Sequence, residues 1–233
     1  MRRDAFTQQD FRNTPAYGIP EAAGYLRLPV STLRAWTLGQ RYRVGGEPKV
    51  FDPVIKIADR KNRQLSFINL VEAFVLAGVR RNHYISLPKV RKAVEYLRRA
   101  FHTNRPLAEV QLQTDGVDLF VEKFGSLIGA TQEGQVQMRE IIRDRLKHVV
   151  RDPRGVPEKI VLFPSGREKA SSADVVIDPK FSFGRPILDG LGVRTAILSE
   201  RFDAGDNVED LAREYEAPPE AVQNAIPCER RAA

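Results

Sequence analysis

The chain has 233 residues, 42% hydrophobic and 29% charged, which is enough apolar material for packed cores and too much for wholesale disorder. No run approaches ~18 consecutive apolar residues, so no membrane-spanning helix is expected, and the polar start Met1-Arg-Arg-Asp-Ala-Phe lacks the apolar core of a signal peptide. The net charge of +7 is uneven: residues 1–104 carry +11, residues 105–170 carry +1 and residues 171–233 carry −5, so the first part attracts polyanions and the last repels them.

The first elements are two short helices. Pro20 suits a first helical position, and Ala22, Ala23 and Leu26 give a helix from about Ile19 to Leu26 one apolar side. Leu28-Pro29-Val30 is a turn, because proline disfavours helix in the residue before it. Ser31 is a good N-cap for a second helix running to about Leu38, with Leu33, Trp36 and Thr37 at i, i+3 and i+4 as its packing face and Gly39 as its stop. This is the pattern of a helix-turn-helix, which lays its second helix in the DNA major groove. The β-branched stretch Val54-Ile-Lys-Ile-Ala then reads as a strand, with the basic turn Asp59-Arg-Lys-Asn-Arg and a short strand after it forming a wing-like hairpin. Ser66 precedes a helix through Phe67, Leu70, Val71 and Phe74, which Gly78 ends or weakens. A further helix covers Leu87 to Phe101, apolar at Leu87, Val90, Val94 and Leu97, and basic at Lys89, Arg91, Lys92, Arg98 and Arg99.

Residues 105–170 read as a small α/β connector. Val110-Gln-Leu-Gln and Val117-Asp-Leu-Phe-Val alternate around Thr114-Asp115-Gly116, which predicts a hairpin. A helix follows over Gln135 to Val149, then a strand at Lys159-Ile-Val-Leu-Phe and a linker at Arg167-Glu-Lys-Ala-Ser-Ser. The final part opens with a turn-rich β lead-in, Val175-Val-Ile-Asp-Pro and Phe183-Gly-Arg-Pro-Ile-Leu-Asp-Gly. Helices are expected at about Thr195 to Phe202, at Val208 to Tyr215 capped by Asp206 or Asn207, and at Pro219 to Ile226, a second helix-turn-helix pattern. The fold class is therefore α+β and mainly helical. It comprises an N-terminal winged helix-turn-helix (residues 15–104), the small α/β connector (105–170) and a C-terminal three-helix, helix-turn-helix-like domain with a short β lead-in (171–227).

Two segments carry a family resemblance. Ile19-Pro-Glu-Ala-Ala, Val30-Ser-Thr-Leu-Arg-Ala-Trp, Arg60-Lys-Asn-Arg-Gln-Leu-Ser-Phe, Asn69-Leu-Val-Glu-Ala and Ala77-Gly-Val-Arg resemble the MerR-like winged helix-turn-helix. The loop between Gly39 and Val54 is longer than in that family, and no long coiled-coil helix follows Phe101, so MerR-style dimerisation and effector sensing are not carried over. Ile177-Asp-Pro, Gly184-Arg-Pro-Ile-Leu-Asp-Gly, Val193-Arg-Thr, Phe202-Asp-Ala-Gly, Val208-Glu-Asp-Leu-Ala and Pro219-Glu-Ala-Val-Gln resemble a short domain first known only as one of unknown function, found in antitoxins of the VapB type. Both in this order resemble the VapB antitoxin subgroup with an extra N-terminal DNA-binding domain. The resemblance implies a cytoplasmic DNA-binding antitoxin that represses its own promoter and neutralises a PIN-like ribonuclease toxin. A homodimer would let two such helices meet half-sites about one duplex turn apart.

Candidate DNA contacts are Ser31, Thr32 and Arg34 at the start of the second helix, where hydroxyls and amides reach phosphate and arginine grips guanine. Arg41 and Arg43 follow the helix, and Arg60, Lys61 and Arg63 lie on the basic turn, where backbone contact is natural. Trp36 is assigned to the core. Glu220, Gln223, Arg185 and Arg194 are candidates for partner binding or a second DNA contact, and the negative charge of their segment favours a protein partner. Neither a zinc pattern among His83, His102, His148 and Cys228 nor a phosphate-cradling glycine loop is present, so no cofactor and no metal is expected. The lone Cys228 fits a reducing compartment. Two alternatives stand: a DNA-binding regulator without a toxin, and a metal-dependent nuclease built on Asp178, Asp189 and Asp203.

Overall fold

The computed structural model describes residues 10–44, 47–81, 87–109, 112–113, 116–163 and 173–229. Strand β1 (Tyr17–Gly18) pairs antiparallel with β4 (Gln64–Leu65) and feeds α1 (Ile19–Tyr25), whose start is fixed by Pro20 and by Glu21, which accepts from the Gly18 N–H at 3.2 Å. The turn at Arg27 is left-handed, and α2 (Val30–Leu38) begins after Pro29. Ala22, Ala23, Leu33 and Trp36 are all buried, so the two helices pack through the faces their spacing predicts. Gly39 ends α2 at φ +82°, where a Cβ would run into the Phe51 carbonyl.

The chain after Gly39 departs from expectation. The hairpin pairs β2 (Gln40–Val44) with β3 (Glu47–Phe51), in register from Gln40 opposite Phe51 to Val44 opposite Glu47. Val54 to Ala58 is not a strand. The Val54 and Ile55 N–H groups both donate to the Trp36 carbonyl, at 2.8 and 2.9 Å, and both side chains enter the core. Both amides are spent on the carbonyl at the end of α2, so capping that helix takes precedence over ladder pairing here. The basic turn Arg60–Arg63 is closed by an Asp59–Gln64 bridge and leads into β4 beneath α1.

Of the helices α3 (Phe67–Arg81), α4 (Leu87–Ala100), α5 (Gly116–Ile128) and α6 (Gln132–Lys147), α4 packs on α5, α5 on α6 and α6 back on α3. Gly78 neither ends nor breaks α3; it admits the Arg145 side chain of α6 against the helix. The hairpin expected around Asp115-Gly116 is overturned. Val110, Gln111, Thr114 and Asp115 lie outside the described residues, and Gly116 starts α5. Val117, Phe120, Val121 and Phe124 are buried at i, i+3, i+4 and i+7, a helical period that outweighs the local Asp-Gly signal.

A four-stranded antiparallel sheet follows in the order β5 (Val149–Arg151), β6 (Pro157–Phe163), β7 (Val175–Ile177), β8 (Ile187–Leu188). It takes two strands from each side of residue 170, so connector and C-terminal part share one sheet. The linker expected at 167–172 lies outside the described residues. Helices α7 (Thr195–Asp203), α8 (Val208–Glu214) and α9 (Pro219–Glu229) complete the chain, with Asn207 capping α8 by accepting from the Asp210 N–H at 2.8 Å. The fold is α+β and mainly helical. Two ties fasten its ends: Arg12 bridges Asp10 and Asp152, at 2.6 and 2.9 Å, and Arg185 pairs with Glu21 at 2.6 Å. No helix among the described residues is long and apolar enough to cross a membrane.

Candidate nucleic-acid interface

The site is built on the division of α2 into two faces. Leu33, Trp36 and Thr37 are buried, and the Thr37 hydroxyl donates back to the Leu33 carbonyl at 2.8 Å. Ser31 and Arg34 point the other way and are exposed, while Thr32 is half-buried. Ser31 is not the N-cap. Pro29 holds that position, its carbonyl accepting from Thr32 and Leu33 at 2.9 and 3.2 Å. Pro29 is extended, and the helix starts at Val30, two residues earlier than a Ser31 cap would set it, which leaves Ser31 inside the first turn. No acid lies in that turn, so the amide donors that every helix start presents face no carboxylate of their own helix.

Arg41 opens the hairpin and is exposed; Arg43 lies in β2, with its side chain outside the described set. Arg60, Lys61 and Arg63 are exposed on the turn. That turn is held in shape by Asp59, which accepts from the Asn62 backbone and side-chain N–H groups at 2.9 and 2.7 Å; these bonds keep its carboxyl below the usual range. Arg63 is left-handed there.

The structure also assembles cations that spacing alone left on separate elements. A cleft of about 890 Å³ opens between the segment Asp52–Arg60, α4 and α5. Lys56 and Arg60 line one wall, Arg91, Lys92, Arg98 and Arg99 of α4 the second, and Lys123 of α5 the third, against two carboxylates, Asp52 and Glu95. On α4, Arg91, Glu95 and Arg98 form one stripe at i, i+4 and i+7, and Lys92, Tyr96 and Arg99 the next. The first stripe is tied inward: Arg91 donates to the Asp52 carbonyl and lies over the Phe51 ring, while Arg98 pairs with Glu95 at 2.5 Å and donates to the Val54 carbonyl at 3.3 Å. The second stripe opens outward, with Lys123 over the Tyr96 ring at 5.4 Å. Arg60 thus joins the α4 cations, a grouping that rests on chain topology and is invisible to local spacing. Lys56, Tyr96 and Lys123 were missed; the i, i+4, i+7 repeat on α4 was the one signal present.

In the C-terminal part, Glu220 and Gln223 are exposed at the start of α9, and Arg194 is exposed just before α7. Arg185 serves a different purpose. It pairs with Glu21, donates to the Ala16 carbonyl at 3.4 Å and lies over the Tyr17 ring, so it joins the C-terminal part to the first helices. The three carboxylates of the nuclease alternative do not gather. Asp189 accepts from Lys159 at 2.8 Å, Asp178 accepts from the Lys180 N–H, and no group of three His, Cys, Asp or Glu side chains among the described residues could hold a metal ion. Cys228 is buried, which pushes its thiol up to about 12.

Residues 15–94, the stretch that builds α1 to α3 and the first part of α4, match the family described as "Putative DNA-binding HTH domain". Residues 175–227 match "Protein of unknown function (DUF433)". The two matched stretches stand in the order that the sequence resemblance implies, the helix-turn-helix first and DUF433 second. It is 28% identical over 231 residues to "Putative antitoxin VapB45" of Mycobacterium tuberculosis (strain ATCC 25618 / H37Rv), covering 92% of this chain and 93% of that protein. It is 27% identical over 217 residues to the uncharacterized protein Rv2308 of the same organism, covering 90% and 88%. The crystal structure of Rv2018 from Mycobacterium tuberculosis has the same fold, with a TM-score of 0.65 at 23% identity, over 92% of this chain and 98% of that one. The helix-turn-helix match contains α2 and most of α4; the DUF433 match begins at β7 and ends within α9.

Proposed function

We propose that this chain is a cytoplasmic antitoxin of a type II toxin–antitoxin pair, which represses its own promoter by sequence-specific DNA binding and neutralises a PIN-like ribonuclease. The observation that carries the DNA half is the two-faced α2: Leu33 and Trp36 fix the helix to the core, while Ser31 and Arg34 stand exposed beside a basic hairpin. Arg34 reads a base edge; Ser31 and Thr32 meet phosphate with the first-turn amides. The β2–β3 hairpin acts as the wing, through Arg41 and Arg43, and Lys61 and Arg63 add backbone contacts. Two copies related by a twofold axis would place two such helices on half-sites about one turn apart.

The toxin half rests on the similarity to an antitoxin along most of both chains and on the acidic balance of residues 171–233. Residues 15–104 hold the DNA, residues 171–227 hold the toxin through the exposed side of α9 around Glu220 and Gln223, and residues 105–170 brace the two. Co-purification of the full chain with the protein encoded beside it, followed by footprinting on the DNA upstream, tests both halves. A ribonuclease in the complex and a protected upstream stretch are expected. Protection without a partner would leave a stand-alone regulator, and a partner without protection would remove the promoter role.

A further inference from the structure

We propose that the cleft between the Asp52–Arg60 segment, α4 and α5 is a phosphate clamp. It would hold the backbone of the duplex that α2 reads, beyond the contacts of the helix-turn-helix itself. The proposal deepens the DNA-binding function and depends on it.

Three observations point to this occupant. The first is charge. Seven cations face two carboxylates across one concavity, a surplus that repels itself unless anions enter. Neither Lys92 nor Arg99 forms an ion pair within the described residues, and both are exposed on the outward stripe of α4. The second is rigidity. The cleft is fastened to α2: Val54 and Ile55 bond to the Trp36 carbonyl at the end of that helix, Arg98 bonds to Val54, and Arg91 bonds to Asp52. Helix α2, the following segment and α4 therefore move as one block. The third is reach. Nine helical residues span about 13 Å, close to the roughly 12 Å width of a major groove. With the start of α2 on the base edges, its far end and the adjoining cleft stand at the groove wall, where phosphates run.

Tyr96 supports the arrangement without reading a base. Its ring carries the Lys123 ammonium at 5.4 Å and so holds that cation in the cleft mouth. The clamp contributes affinity and orientation but no sequence discrimination, because phosphates are the same in every sequence.

The test is fluorescence anisotropy of the full chain on its upstream duplex and on a scrambled duplex of equal length, from 50 to 200 mM salt. The variants are Lys92→Gln with Arg99→Gln, and separately Arg34→Ala. The double variant should lower the slope of log affinity against log salt by about 2, at roughly 0.9 per lost phosphate contact. It should weaken both duplexes equally, while Arg34→Ala weakens the upstream duplex preferentially. Lys123→Gln provides a second reading, about 1 off the slope, should the double variant melt early. An unchanged slope in these variants, with Arg34→Ala still impaired, overturns the clamp and leaves the α2 interface standing. A loss confined to the upstream duplex also overturns it, since that means base reading. Unchanged DNA binding with lost capture of the neighbour-encoded protein would make the cleft a protein site instead. Failure of the parent chain to bind any duplex removes the α2 interface and the clamp together.

Discussion

Arg34 and Asp152 show how differently charged side chains are used here. Arg34 stands exposed on a helix whose other face is buried, so its guanidinium costs no desolvation until DNA arrives. Arg34→Ala should cost about 1–3 kcal/mol at the recognised sequence and much less on scrambled DNA, measured by competition titration. Asp152 is structural. Burial alone would raise its carboxyl, but hydrogen bonds from Arg12 and from the Val156 and Arg154 N–H groups outweigh that and hold it at about 2. A carboxyl depressed on folding stabilises the fold fully above its ordinary value of 3.8 and loses that contribution as the pH falls toward 2. Melting temperatures taken between pH 5 and pH 2 should therefore fall more steeply for the parent than for Asp152→Asn. Parallel curves would mean the Arg12 tie adds no acid-dependent stability.

At the scale of elements, α2 is fixed by its fully buried face. Trp36→Ala should destabilise by about 3–5 kcal/mol, because Trp36 and its neighbours are wholly buried and cannot close the gap. Gly39→Ala should also lower the melting temperature, by the cost of a left-handed alanine, about 1 kcal/mol or more, with the clash at the Phe51 carbonyl added. Calorimetric melts that match the parent in either variant would contradict the packing described. This helix was legible in the sequence because Leu33, Trp36 and Thr37 repeat at helical spacing within nine residues. Helix α5 was not, because an Asp-Gly pair at its start imitates a hairpin and only four buried side chains spread over eight positions expose the true period. The loop at Val54–Ala58 misled for the opposite reason. Its β-branched residues do pack inward, but their amides cap α2, a bond that depends on tertiary folding.

At the scale of the whole molecule, charge runs from the basic first part to the acidic last part, yet the two are not loosely strung. Arg185 reaches from the C-terminal part to Glu21 on α1, and β6 pairs with β7 across residue 170. Deleting residues 171–233 would therefore strip the sheet and expose α1, so surface substitution is the cleaner way to separate partner binding from DNA binding. Glu220→Lys with Gln223→Ala should leave the melting temperature and DNA affinity close to the parent's and weaken capture of the neighbouring protein at least tenfold. The cationic cleft belongs to this scale too: its walls come from residues 52–60, 91–99 and 123–127, and no local pattern unites them. What decides the account is whether the exposed side of α2 lies on DNA. Footprinting of the parent and Arg34→Ala on the upstream region, at matched concentration and low salt, measures this most directly. A discrete stretch that the parent protects and the variant leaves open is the predicted result; identical protection by both, or none by either, would contradict it.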